Sequence, residues 1–144
     1  MTPADATAWS LARLNQAFFH HYDRRTYDAL LDLFTPDALY EVHGRSLHGH
    51  AEIRDLLNAR LGPELTIRHL VTSQHFHTIT DTTAHGTVCV IAYAGPTPTG
   101  EGPAPYPAEN AGHIVELADN YRLDDGHWKI THRTAHQILT PIPN

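Results

Sequence analysis

The hydrophobic pattern of this chain changes its period once, at Gly62-Pro63. Before that point apolar residues recur at the three- and four-residue spacing of amphipathic helices, and after it they alternate with polar residues as in β-strands. Glycine followed by proline is also a strong signal for the end of a helix. Helices and strands in two separate runs predict an α+β domain, in which the helices pack on one face of a sheet.

The first run predicts three helices and one short strand. The predicted bounds are 4–22, 27–34 and 50–61 for the helices, 38–42 for the strand, and 44–49 for the turn that follows it. Thr35-Pro36-Asp37 should end the second helix, because proline disfavours helical geometry in the residue before it. On the third helix, the predicted buried side includes Ile53, Leu57 and Leu61.

The second run predicts an antiparallel meander of four long strands. The predicted bounds are 65–80, 83–94, 111–123 and 127–139, with a tight turn at Asp124-Asp125-Gly126. The segment 95–110 is rich in proline and glycine and too long for a hairpin turn, so it is either a lid over a pocket or a plain connection. A long sheet wrapped against helices encloses a space that its apolar faces cannot fill, which predicts a pocket.

Composition excludes several classes of function. A chain of 144 residues fits a single domain at 1–144. The formal charge is −6 and the longest basic run is Arg24-Arg25, so we expect neither nucleic-acid nor membrane partners. There is no apolar stretch of about 18 residues and no signal pattern, which predicts a cytoplasmic protein. Cys89 lies in an apolar run and is expected to be a small buried side chain.

One histidine on the first long strand, His69 in LTIRHLVTS, is the candidate general base. A lone histidine on a strand is more often structural, so a partner is needed. A carboxylate bonded to one ring N–H would fix the tautomer and stabilise the imidazolium that forms when the other nitrogen takes a proton. Asp23, after the first helix, is the candidate partner. Its alternatives are a cap of the second helix or a salt bridge with Arg24 or Arg25.

The 13 histidines also raise the question of a metal site. His75 and His77 share one strand face at a spacing that can chelate, and His43, His48 and His50 lie around a turn. Neither group supplies a convincing third and fourth ligand. We therefore expect no metal and no cofactor.

Three phrases in order resemble the SnoaL-like branch of the nuclear transport factor two-like superfamily. The phrase YDRRTYDALLDLFTPDALYEVHG resembles its opening signature, LTIRHLVTS its central histidine strand, and NYRLDDGHWKITHR its closing hairpin. The resemblance implies a cone-shaped, curved antiparallel or mixed sheet packed on three N-terminal helices. The branch contains small dehydratases, cyclases and isomerases.

The resemblance also implies roles for particular positions. In scytalone dehydratase, bile-acid dehydratase and lindane dehydrochlorinase, a histidine on the central strand pairs with an aspartate just after helix one, the places of His69 and Asp23. Tyr22, Arg133 and, less closely, Tyr40 correspond to substrate-binding side chains of these relatives. The alternatives are packed tyrosines, and an ion pair between Arg133 and an acidic residue on the sheet.

The leading hypothesis is a cofactor-independent lyase or isomerase of the dehydratase or cyclase type. His69 and Asp23 would act on a small hydrophobic, oxygenated ring compound of the kind met in secondary metabolism. A scytalone-type reaction is not expected, because Val88 occupies the place of its second active-site histidine. The alternatives are a non-catalytic ligand-binding or dimerisation module, and an epoxide hydrolase, which would need more carboxylates than Asp23 and the uncertain Glu41 and Glu116. A homodimer through the sheet face is expected.

Overall fold

The computed structural model describes residues 1–60, 62–107 and 112–143, and it confirms the α+β class. The elements are α1 (Pro3–Arg24), α2 (Tyr27–Leu31), β1 (Phe34–Val42), β2 (Arg45–His48), α3 (Gly49–Asn58), β3 (Leu65–His77), β4 (Thr83–Pro96), β5 (His113–Asp124) and β6 (His127–Leu139). The strands form one mixed sheet in the order β2-β1-β6-β5-β4-β3, in which β1 runs parallel to β6. The predicted meander is therefore β3 to β6. Leu61 and the predicted strand start at residue 111 lie outside the described residues.

Helix α1 covers the inner face of the sheet. It begins at a capping box, in which the side chains of Thr2 and Asp5 each accept a main-chain N–H of the other residue. Its buried stripe includes Leu11, Leu14 and Phe18, which pack into the core. Within the described residues, no helix is long and apolar enough to cross a membrane.

The second helix is shorter than predicted, because Phe34 begins a strand instead of ending a helix. Phe34 pairs in parallel with Ile130 of β6, and the register then shifts before the next pair. Pro36 lies in this irregular stretch, where a missing N–H costs no ladder hydrogen bond. The local pattern favoured a helix here, but the pairing with β6 decides the conformation.

The predicted turn at 44–49 contains a strand, β2. His43 and Gly44 both have positive φ angles, 53° and 72°, and join Val42 to Arg45 as a two-residue hairpin loop. Such loops favour glycine at the second position and match the twist of the flanking strands. The hairpin extends the sheet by one edge strand beyond β1.

A buried polar network ties α1 to the middle of the sheet. Arg133 of β6 is 0% exposed, and its guanidinium donates to both carboxylate oxygens of Asp119 at 2.8 and 2.7 Å. It also donates to the side-chain oxygen of Asn15 on α1. The Tyr121 hydroxyl donates to Asp119 and accepts from Asn15. The Arg133 guanidinium lies 4.4 Å from the ring centroid of Phe18, so the charge is enclosed on several sides.

The outer face of the sheet carries exposed apolar side chains, among them Leu70 and Leu139. An apolar face of this kind suits contact with another surface. The homodimer through this face stays a prediction.

Replacement of Arg133 by methionine should lower the free energy of unfolding by about 3–5 kcal/mol, because Asp119 would be left buried without its cation. Arg122→Met is the matched control, since Arg122 lies at the surface, 3.7 Å from the carboxylates of Asp37 and Asp124. That change should cost less than about 1 kcal/mol. Chemical denaturation of the two variants measures the difference. Equal losses would contradict a structural role for the Arg133–Asp119 pair.

Candidate functional site

A cavity of about 350 Å³ lies between α1 and the inner face of the sheet. Its walls come from α1, from the β1–β2 hairpin and from strands β3 to β6. Among the described residues that line it, none carries a formally charged carboxylate, ammonium or guanidinium group. The lining residues are Phe19, Tyr22, Tyr40, Val42, His43, Gly44, His69, Val90, Val115, Leu117, Ala135, His136 and Gln137.

The structure brings His69 and Asp23 into contact at this cavity. The Nδ1 of His69 lies 2.5 Å from Oδ1 of Asp23, and the main-chain N–H of His69 donates to Oδ2 at 2.9 Å. The side chains are 13% and 4% exposed. Because an ionised carboxylate only accepts hydrogen bonds, Nδ1 carries a proton in this arrangement. In the neutral imidazole, the lone pair is then on Nε2.

The positions of α1 and β3 explain this contact. Asp23 lies in the last turn of α1, where free carbonyl groups make a carboxylate unfavourable. His69 lies on β3, the edge strand of the sheet, where main-chain N–H groups on the outer side have no neighbouring strand. The contact gives the carboxylate two N–H donors and gives the unpaired main-chain N–H an acceptor. Helix α2 has no side-chain cap at Thr26, so Asp23 does not serve as its cap.

Two tyrosines with free hydroxyl groups line the cavity, and one of them contacts His69. The ring of Tyr22 is perpendicular to that of His69 at a centroid distance of 5.1 Å, and Tyr40 lines the same cavity from β1. Burial raises the pKa of both phenols, so both are protonated at neutral pH. Neither hydroxyl has a hydrogen-bond partner among the described residues. Both can therefore donate to a bound molecule.

Arg133 does not line the cavity, which corrects its expected place at a substrate oxygen. Its guanidinium is engaged by Asp119 and Asn15 behind the cavity wall. The ion pair with an acidic residue on the sheet, the alternative for this position, is what the structure contains.

The described part of the proline-rich loop is not a lid over this cavity. Tyr106 packs edge-on against Tyr93 of β4, with ring centroids 5.8 Å apart. Tyr93 points to the opposite face of β4 from Val90, which lines the cavity. The loop to residue 107 thus packs on the outer face, and residues 108–110 lie outside the described residues.

Sequence reasoning missed the cavity-lining residues that come from the β1–β2 hairpin and from the end of β6. His43 and Gly44 reach the cavity from the tip of the β1–β2 hairpin, and His136 and Gln137 from the end of β6. The His43-Gly44 pair carried a usable signal, since a polar residue followed by glycine is typical of a two-residue hairpin loop.

Three further histidines form a row on the outer face. The rings of His75 and His77 stack at 5.7 Å, and those of His77 and His85 at 5.9 Å. In the described residues, no group of three or more His, Cys, Asp or Glu side chains is arranged to hold a metal ion.

Solved structures with similar folds carry different functional names. A proposed scytalone dehydratase of Novosphingobium aromaticivorans is 18% identical, covers 94% of this chain and 87% of its own, and has a TM-score of 0.78. Hexachlorocyclohexane dehydrochlorinase LinA-type3 of Novosphingobium barchaimii is 17% identical, covers 94% and 89%, and has a TM-score of 0.74. A proposed aromatic ring hydroxylase of N. aromaticivorans is 22% identical, covers 96% and 93%, and has a TM-score of 0.73. These likenesses show that the chain shares the α+β fold of these proteins, with helices packed on one curved sheet.

Sequence comparison assigns the chain to a family, which is a narrower group than the proteins that share its fold. A search of curated protein sequences finds no match. The family model of the SnoaL-like domain (SnoaL_4), in contrast, matches residues 7–134, which include most of α1, strands β1 to β5, the first part of β6 and both members of the His69–Asp23 contact. The chain belongs to the SnoaL-like domain family.

Proposed function

We propose that this protein is a cofactor-independent lyase or isomerase in which His69 removes a proton from a carbon atom next to a carbonyl or similar activating group. The observation that carries the proposal is the orientation of His69. Its Nδ1 is bonded to Asp23, which leaves Nε2 as the nitrogen available to a guest in the cavity. Membership in a family whose structural relatives include a named dehydrochlorinase supports the same reaction class.

Each residue of the site has its own role in the proposed reaction. Nε2 of His69 takes the proton, and Asp23 stabilises the imidazolium that results. The electron pair of the broken C–H bond moves onto the activating oxygen, where the hydroxyls of Tyr22 and Tyr40 can donate hydrogen bonds. The pair then returns to expel a leaving group on the neighbouring carbon, or to form a shifted double bond. The imidazolium returns its proton to the leaving group or to the product.

The cavity also indicates the class of substrate. Its walls are mostly aliphatic and aromatic, and no carboxylate, ammonium or guanidinium group among the described lining residues would pair with an ionic guest. A volume of about 350 Å³ lies near the lower end of the range for ligand pockets. The proposed substrate is therefore an uncharged molecule of one or two rings that carries an oxygen substituent.

Hydration of an epoxide has less support. Glu41 accepts hydrogen bonds from His132 and Thr134, and neither Glu41 nor Glu116 lines the cavity. Asp23 is occupied by two N–H groups of His69. The site thus lacks the additional carboxylates that would position and activate a water. A non-catalytic binding module is the remaining alternative, and turnover separates it from the enzyme.

His69→Ala and His69→Gln should lower kcat/KM by about 10²–10⁴-fold, because both remove the general base. The measurement is a screen of uncharged cyclic hydroxyketones and halogenated ring compounds, with wild type and variants assayed side by side. His75→Ala, on the outer face, is the control and should leave the rate unchanged. Turnover that survives both His69 changes would show that the base is another group.

Asp23→Asn should abolish most activity while the fold is kept, because the amide can donate to Nδ1 and move the ring proton to Nε2. Long-range ¹⁵N–¹H NMR of the histidine ring reports the tautomer without any substrate. Wild type should show the proton of neutral His69 on Nδ1, and the variant should show it on Nε2. An unchanged tautomer together with wild-type rates would remove Asp23 from the mechanism.

Tyr22→Phe and Tyr40→Phe test the proposed oxygen donors. Loss of one donor to a developing oxyanion typically lowers the rate by about 10²-fold or more, so at least one variant should fall by that amount in kcat. Tyr106→Phe, on the outer face, is the control. Rates within twofold of wild type for both cavity variants would exclude the phenols as oxyanion donors.

A further inference from the structure

Arg60, which follows α3, contacts Tyr22 at both its ring and its main chain. The guanidinium carbon lies 3.9 Å from the centroid of the Tyr22 ring. Nη1 donates to the main-chain carbonyl of Tyr22 at 2.7 Å and to the hydroxyl of Tyr27 at 3.1 Å. Tyr22 in turn lines the cavity and touches the ring of His69. Arg60 is thus connected to the proposed reaction site through one intervening residue, Tyr22.

Arg60 forms no ion pair with a carboxylate among the described residues, in contrast to Arg54 on the preceding helix. Arg54 pairs with Asp28 at 2.5 Å, whereas Arg60 directs its charge at an aromatic ring. Its Nη2 is buried and has no acceptor among the described residues. A buried donor without an acceptor costs stability, and Arg133 carries the same cost at its Nη1. What sets Arg60 apart is that its charge lies over the ring of a cavity-lining tyrosine.

The charge of Arg60 acts on the Tyr22 phenol. Burial raises the pKa of that phenol, and the positive charge of Arg60 opposes the rise. A cation over the ring stabilises negative charge on the phenolic oxygen. It therefore makes the O–H group a stronger donor to an oxygen that gains charge.

The surrounding chain keeps this contact in place. Arg25, which follows α1, donates from Nη2 to the main-chain carbonyls of Gly62 and Leu65 at 2.8 and 2.9 Å. Arg25 and Arg60 therefore bind the end of α1 to the segment that leads into β3. The same segment sets the position from which β3 carries His69 into the cavity.

We propose that Arg60 is a positioning residue that acts through Tyr22: it holds the phenol beside His69 and strengthens its hydrogen bond to the substrate oxygen. This inference rests on the proposed lyase or isomerase function. Its first test nevertheless does not depend on turnover, so the role of Arg60 and the proposed function can fail separately.

The first test measures the ionisation of Tyr22 directly. The protein is labelled with 3-fluorotyrosine, and the ¹⁹F resonance of Tyr22 is identified by its loss in Tyr22→Phe. Arg60→Met should move the titration midpoint of this resonance upward by roughly one pH unit, because the opposing charge is gone. Arg54→Met is the matched control and should leave it unchanged. Arg60→Lys keeps the charge, so its midpoint should stay close to that of wild type. If Arg60→Met does not fold, Arg60→Gln, which also removes the charge, takes its place.

The second test uses a substrate from the screen. Arg60→Met should lower kcat by about tenfold or more with little change in KM, because the loss falls on the transition state. In the Tyr22→Phe background the same change should have no further effect, because Arg60 acts through the phenol.

The outcomes separate the two proposals. A Tyr22 midpoint that does not move in Arg60→Met overturns the role of Arg60, whatever the enzyme does. A full rate loss for Arg60→Met in the Tyr22→Phe background overturns it as well, since Arg60 would then act by another route. A shifted midpoint in a protein that turns over no compound supports the coupling of Arg60 to Tyr22 and counts against the proposed function.

Discussion

The structure depends on one carboxylate that accepts two N–H groups from a single residue. Asp23 at the end of α1 holds both the ring and the main chain of His69, on the edge strand β3. A carboxylate at the negative end of a helix and an unpaired N–H on an edge strand are each unfavourable alone. Together they join the helix layer to the sheet at the place where the cavity forms. The same contact orients the imidazole, so the atoms that join the two layers are also those on which the proposed reaction depends.

The charged side chains closest to the cavity lie behind its wall and do not line it. Arg133 and Asp119 form a buried pair on the core side, and Arg60 stacks behind Tyr22. The wall facing the cavity is formed by aliphatic, aromatic, histidine and amide side chains, with no carboxylate, ammonium or guanidinium group among the described lining residues. Hydrogen bonds inside such a wall act in a medium of low polarity, where a carboxylate behind a histidine or a cation behind a phenol has a larger effect than in water. In the proposed reaction, the largely apolar wall and the charges behind it would act together.

The position of Arg133 shows why some side-chain contacts near the site could not be predicted from the sequence. Counting back from the turn at residues 124–127 pairs Asp119 with His132. One extra residue on β6, Thr131, lies between the pairs Tyr121–Ile130 and Asn120–His132, so the register shifts and Asp119 faces Arg133. A shift of one residue moves a side chain to the other face of a sheet. Nothing local in WKITHR marks this bulge, and so the ion pair could not be read from the sequence.

The sequence alone determined the helix-then-strand order, the meander from β3 to β6 and the turn at Asp125-Gly126, because periodicity and turn residues act over a few positions. It also proposed Asp23 as the partner of His69, with the family resemblance as the main support. Tertiary structure decided that Phe34 starts a strand, that β2 exists, that the described loop packs on the outer face, and that Arg60 stands behind Tyr22. Each of these depends on a partner distant in the chain, and contacts of that kind are set by how whole layers pack, not by the residues on either side.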